Sequence, residues 1–404
     1  MAQKIVRDEV CYEPAKLFLK RHISYSYECD CHDPITEPKS IKNAPVPSAL
    51  FPRSLVGPCF LAWVLYLKFV LSVPFYRQEN DWRRLGFNVT RRTMSNWVIL
   101  ADVYYLSYIY NCLHNHLRLR EILHGDETVY QILMRSDGKP ATSEARMWVF
   151  RTTHQEETPI VLYHASLTRQ KEVAKEVLGE YNGYLHCDAY SGYQGISGVT
   201  VVCCWAHTRR YFKDVPQPKG VTGTKAQTAI AYCDKMFKIE RKLKDLKPED
   251  RYDKRLELLK PVMDEFFSWL ESFPVIKGKL QEAVNYALNH KNALMRVLED
   301  GRLQLSNNIC EQKVKPLVIG RKNYLFSTSE AGAKANATIY TLVETAKENG
   351  LDPYKYLRLL LERLPNLEFH RHPDLLEALL PWEKIPQEQC RAIPNKNDST
   401  SVAS

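Results

Sequence analysis

Residues 121–133 read EILHGDETVYQIL, and the same short β-rich texture returns at 147–153 (MWVFRTT), 159–166 (PIVLYHAS), 184–190 (YLHCDAY) and 199–205 (VTVVCCW). Val, Ile, Tyr, Phe and Thr dominate these runs, and each is short enough to be a strand. Between the third and fourth, the stretch from Thr168 through Leu178 has helical spacing. The order is therefore β-β-β-α-β-β. Three strands forming a meander, then a crossover to two more, predict a mixed α/β sheet. In the common arrangement of this order the first strand lies beside the fourth.

Helical patterns flank this sheet on both sides. Upstream, Pro58 to Tyr76 is almost wholly apolar but carries Lys68 at its centre and is closed by Pro74. A charge at the middle of a bilayer is costly, so the run is read as a buried core helix and no membrane partner is expected. Asn80 to Leu85 then forms a helical pattern, Gly86-Phe87-Asn88 a turn, and Thr90 a cap for a second helix through Met94, Trp97 and Val98. This is the outline of a helix-turn-helix, with Arg91 and Arg92 offered to a groove; a solvated helical hairpin is the alternative. Downstream, 207–301 reads as long amphipathic helices closed by Gly301. The expected organisation is a Cys-containing region at 1–50, a small helical DNA-binding region at 51–118, and a catalytic α/β domain at 119–206 and 302–345. An all-helical insertion at 207–301 interrupts that domain, and a helical segment and tail fill 346–404.

The chain has 404 residues, 45% apolar and 25% charged, which excludes a disordered or collagen-like protein. Its formal charge of +9 favours a polyanionic partner. The cysteines are scattered, and Met1 to Val10 lacks the apolar segment of an export signal. Reduced thiols and a cytoplasmic location are therefore expected.

Three acids stand out: Asp126 in HGDET, Asp188 in YLHCDAY and Glu311 in SNNICEQKVKP. With the first strand beside the fourth, Asp126 and Asp188 become neighbours. Two adjacent, poorly solvated carboxylates are tolerable mainly with a divalent cation between them, and oxygen ligands suit magnesium or manganese. A third carboxylate from a helix completes a two-ion site. Each acid has a structural alternative: Asp126 as a turn residue after Gly125, Asp188 paired with His186, and Glu311 as capping-box partner of Asn308. Between Arg302 and Lys334 lie Lys313, Lys315, Arg321 and Lys322, which would suit a phosphodiester. Tyr324 and Phe326 interleave with them, to stack on bases or to pack in the core.

At this point a resemblance enters. The stretches LHGDETVYQIL, GYLHCDAYSGYQGI, VVCCWAHTRRYF, VNYALNH, LEDGRLQLSNNICEQKVKPLVIGRKNYLF and IYTLVETAKENGLDPYKYLRLLLERLP are similar to bacterial insertion-sequence transposases of family sixty-six, the TnpC-type DDE transposases. So is PFYRQENDWRRLGFNVTRRTMSNWV. The resemblance implies a ribonuclease-H-like fold and a triad of Asp126, Asp188 and Glu311 holding two magnesium or manganese ions. It implies cleavage and strand transfer at the ends of a mobile DNA element. Arg91, Arg92, His207, Lys313, Lys315, Arg321 and Lys322 would contact terminal repeats or target DNA. A homo-oligomer on DNA, accessory proteins of the same element and a place at the nucleoid follow as expectations. A degenerate DNA-binding remnant and a nuclease without strand transfer are the rival readings.

The chain also departs from the family pattern. It begins inside the family's cysteine-rich module and so reads as N-terminally shortened, keeping Cys29 and Cys31 as zinc candidates without an upstream Cys-x-x-Cys pair. Gln312 and Lys315 stand where the family has arginine. Cys204 and His207 form a Cys-x-x-His, but two ligands do not make a zinc site, so His207 is read as structural or DNA-adjacent.

Overall fold

In the computed structural model, residues 16–28, 41–141, 144–217, 220–274 and 277–393 are described. Cys29 and Cys31 lie outside them. A small exposed ladder pairs β1 (Ser26–Glu28) with β2 (Ile41–Asn43). Four helices follow: α1 (Pro58–Phe69), α2 (Phe75–Arg84), α3 (Arg91–Ala101) and α4 (Ser107–Arg118), the last two joined through a wide-turn segment, Asp102–Leu106. Thr90 caps α3 as expected, its side chain accepting from the Thr93 N–H at 3.1 Å.

The long run from 121 is two strands, β3 (Ile122–Val129) and β4 (Ile132–Met134), broken at Tyr130-Gln131. Then come β5 (Arg146–Thr152), β6 (Val161–Ser166), α5 (Lys171–Leu178), β7 (Gly183–Cys187) and β8 (Val199–Cys203). The main sheet has the order β6-β5-β3-β7-β8, with β5 antiparallel to β3 and β6, and β7 parallel to β3 and β8. It is the mixed sheet read from the sequence, with the first strand beside the fourth.

Helices α6 (Trp205–Lys213), α7 (Lys225–Leu243), α8 (Pro248–Lys254), α9 (Lys260–Glu271), α10 (Lys279–Asn289) and α11 (Lys291–Met295) fill the predicted helical stretch. The chain returns through α12 (Asn308–Tyr324), β9 (Ser327–Ser329), α13 (Glu330–Glu348), α14 (Pro353–Arg363) and α15 (Lys384–Cys390). Strand β9 pairs in parallel with β4, a two-residue match too short to show as a pattern.

Both edges of the sheet are occupied. The hydroxyl of Thr345 accepts from the Val161 N–H and donates to the Val161 carbonyl, and Thr341 accepts from the Tyr163 N–H at 2.9 Å. These α13 side chains satisfy backbone groups that edge strand β6 would otherwise leave open. On the opposite edge, Arg296 donates to the Val201 carbonyl at 2.6 Å.

The apolar run around α1 is a core helix, and among the described residues no helix is long and apolar enough to cross a membrane. Lys68 lies at its inner end, 8% exposed, with its ammonium 4.3 Å from the centre of the Phe75 ring and 5.3 Å from that of Tyr324. It donates to Asn336 Oδ1 at 3.3 Å. One apolar core runs from Leu50 through the sheet to Cys390. No disulfide joins the described cysteines.

Candidate active site

Strand β3 pairs in register with β7, His124 opposite His186. Carried two residues further, this register sets Asp126 against Asp188, because alternate residues of a strand share a face. Asp126 is a mid-strand residue, not a turn, and its Oδ1 accepts from the Glu127 N–H at 2.8 Å. Burial pushes its carboxyl up to about 7, with the negative charges of Glu127, Asp188 and Glu311 adding to the effect. Asp188 follows the end of β7 and accepts from the Tyr190 N–H at 2.9 Å. It is not paired with His186, whose Nε2 instead faces the Gln304 carbonyl.

Glu311 lies in the first turn of α12, one position past the capping-box slot, because Asn307 and not Asn308 is the N-cap. Its Oε1 is 3.8 Å from His207 Nε2 and its Oε2 3.4 Å from Arg210 Nη2. Asn307 fixes this helix start. Its amide donates to the Gly125 carbonyl at 2.8 Å, its Oδ1 meets His124 Nδ1 at 2.9 Å, and its backbone N–H donates to Cys204 Sγ at 3.1 Å. One buried residue thus ties together β3, through its side chain, and the start of α6, through its backbone, at the head of the helix that carries Glu311.

A second layer was not anticipated from the sequence. Glu127, the neighbour of Asp126, is 2% exposed at its side chain and bonded to Arg169. Tyr193 donates to its other oxygen at 2.6 Å. The Arg169 guanidinium lies 3.8 Å over the Tyr190 ring. A cavity of about 280 Å³ opens beside Asp188, walled by Arg169, Tyr190, His207, Tyr211, Tyr286 and His290. The sequence carries a signal for this layer: His-x-Asp occurs at both strands, as His124-Gly125-Asp126 and His186-Cys187-Asp188.

The predicted basic residues divide. Lys315 and Lys322 are exposed on α12, and Arg91 and Arg92 are exposed at the start of α3. Arg321 is tied to the end of β3, donating to the Val129 carbonyl and lying 3.5 Å from Thr128 Oγ1. Lys313 does not join the site. Its ammonium sits 3.0 Å from Glu344 and 2.6 Å from Glu348, both on α13, and Glu348 also binds the buried Arg151 at 2.9 Å. His207 stands at the site edge against Glu311.

The fold and this cluster define a mixed α/β protein with a carboxylate centre where two parallel strands meet a helix. The chain belongs to the IS66 transposase family: the profile described as "Transposase IS66 family" matches residues 53–335, and the IS66 C-terminal element matches 341–382. It is similar to uncharacterized protein y4hP of Sinorhizobium fredii, 29% identical over 370 residues, which is 85% of this chain and 65% of that protein. It is equally similar to y4qI of the same organism, 29% identical over 367 residues, covering 86% of this chain and 66% of the relative. A third relative, y4jD, is 27% identical over 385 residues, 91% of this chain and 73% of the relative. The chain therefore spans just under two thirds of the length of the first two.

Proposed function

We propose that the protein is a DNA transposase that cuts and joins phosphodiesters at the ends of an insertion sequence, on a ribonuclease-H-like sheet. The observation that carries this reading is the meeting of Asp126, Asp188 and Glu311, drawn from residues far apart in sequence. Burial and the negative charges of Glu127, Asp188 and Glu311 push the Asp126 carboxyl up, and a cation held among these acids would stabilise its ionised form. Oxygen donors of this kind fit magnesium or manganese, held by Asp126, Asp188 and Glu311. Such ions, when bound, acidify water and stabilise a leaving oxygen.

The chain's own residues supply position. Asn307 and the His124–His186 pair hold the acids in place. Lys315 and Lys322 present charge to a DNA backbone along α12, and α3 offers Arg91 and Arg92 to a groove. In the first step water replaces the 3′-oxygen at phosphorus at the element end, releasing a 3′-hydroxyl. In the second, that hydroxyl forms a new P–O bond with target DNA while the target's own 3′-oxygen leaves. The full protein would work as an oligomer on DNA, with accessory proteins of the same element.

Cleavage and strand transfer on an element-end duplex, with and without magnesium, test the reading. Asp188→Asn is expected to abolish both while DNA binding stays near wild type, since the change keeps shape and removes charge. Equal cleavage by the variant and wild type in magnesium would refute it. Cleavage without joining of a pre-cut end would mark a nuclease.

A further inference from the structure

Cys204, His207 and Glu311 come together at the rim of the acid cluster. One donor atom from each, a thiol, an imidazole nitrogen and a carboxylate oxygen, lies within 4.8 Å of the other two. The sequence alone set Cys204 and His207 aside as two ligands without a site. The return of the chain through α12 supplies the third, 104 residues beyond His207 in sequence.

We propose that Cys204, His207 and Glu311 form a binding site for one zinc-class transition-metal ion; Glu311 is shared with the proposed magnesium set, whereas Asp126 and Asp188 belong to that set alone. The inference goes beyond the transposase reading and does not depend on any nucleic acid being cut.

Five points support it. The donor set is mixed sulfur, nitrogen and oxygen, which favours zinc over magnesium. A tetrahedral zinc ion keeps its ligand atoms roughly 3.3–3.6 Å apart, so side-chain adjustments of about 1 Å close the site. Two buried atoms here have no hydrogen-bond partner, His207 Nδ1 and Glu311 Oε1, in a structure where buried polar atoms are otherwise expected to be paired. Cys204 is the N-cap residue of α6, and its sulfur accepts the Asn307 N–H at 3.1 Å, which fixes the thiol at the site. His207 lines the cavity beside Asp188, which leaves the fourth coordination position open to water. On binding, the Cys204 thiol gives its proton to solvent and the sulfur takes up the metal.

Cobalt(II) is the probe, because a thiolate ligand gives it a sulfur-to-metal charge-transfer band. The titration uses the full chain with Cys29→Ser and Cys31→Ser, so that neither N-terminal thiol contributes. The expected result is one Co²⁺ per chain with a near-ultraviolet charge-transfer band and intense tetrahedral visible bands. Zn²⁺ should bleach both, and excess Mg²⁺ should not. Cys204→Ser should lose the charge-transfer band and weaken Zn²⁺ binding more than about tenfold. His207→Gln should keep the band but lose the tetrahedral intensity and weaken Zn²⁺ comparably. Asp188→Asn should leave every signal unchanged, so failure of this site and failure of the transposase reading are told apart. Absence of the charge-transfer band in the folded parent would overturn the proposal. So would its persistence in Cys204→Ser, with circular dichroism verifying the fold.

Discussion

His124 and His186 stack on neighbouring strands with ring centroids 4.9 Å apart and planes 8° from parallel. Each lies two residues before an acid of the cluster, on the same strand face, so the pair forms a support under Asp126 and Asp188. Burial holds both rings neutral, His124 well below the usual range and His186 down to about 4. Their partners set the tautomers: His124 donates from Nδ1 to Asn307, and His186 donates from Nε2 to the Gln304 carbonyl.

Asn307→Ala should therefore act at a distance from its own side chain. It strands the His124 N–H and the Gly125 carbonyl, both buried, which costs about 1–3 kcal/mol for each unsatisfied group. It also frees the start of α12. Urea unfolding should show the loss, and cleavage should fall although all three acids remain. An unchanged midpoint would remove Asn307 from its place at the centre of the site.

Lys313→Ala should destabilise the fold and leave DNA affinity almost untouched. Its removal takes one of two cations from Glu344, whose side chain is 3% exposed and which keeps Lys347 at 2.7 Å, and one of two from Glu348, which keeps Arg151. The cost should therefore fall below the ~3–5 kcal/mol of a buried charge left wholly unpaired. Glu348 is half-buried, yet Lys313 and Arg151 hold its carboxyl below the usual range. A carboxyl lowered on folding stabilises the fold above its unfolded pKa, and that contribution is lost as pH falls through the folded value. The penalty of Lys313→Ala should thus be full at neutral pH and shrink below about pH 4. Weakened DNA binding at constant stability would show the opposite role.

Arg91 and Arg92 should govern sequence preference, and Lys315 and Lys322 overall attraction. Replacing the two arginines with Ala should erode discrimination between element ends and random duplex by ~1–3 kcal/mol per lost base contact. Replacing the two lysines should weaken both DNAs alike and flatten the salt dependence by about 0.9 log units per phosphate contact. Binding titrations at several salt concentrations separate these outcomes. If the arginines prove neutral to preference, α3 is a packing element only.

Lys68→Met should change how stability depends on pH. Burial lowers the ammonium from 10.5 to about 7. Between those values the unfolded chain holds a proton that the folded chain has released, so this group makes stability rise with pH. Below pH 7 both states are protonated and the full burial penalty stands. The stability of the variant relative to wild type should be greatest near pH 7 and shrink toward pH 10. Urea midpoints at pH 7, 8, 9 and 10 check this, and parallel curves for the two proteins would contradict it.

The sheet was legible because its strands carry strong local signals and their order allows few topologies. Thr90 was legible as a cap, and the run around Lys68 as a core helix. The pairing of Lys313 was not legible, because a lysine in a basic run looks the same in sequence whether it faces solvent or two glutamates more than thirty residues onward. Glu344 and Glu348 lie in a helix whose partners only the fold reveals. Cys204 was set aside because its third companion, Glu311, arrives from beyond the whole helical stretch. Asn307 carries no motif at all, and its importance comes from where three elements meet.

Helix α13 lies between α3 and edge strand β6, and α3 packs directly on it. Thirteen of its nineteen residues are buried. The helix thus joins α3 to the sheet that carries Asp126. On the proposed function, the number of base pairs between a step read by α3 and a phosphate at Asp126 would then be set by this packing, as the jaws of a caliper set a length.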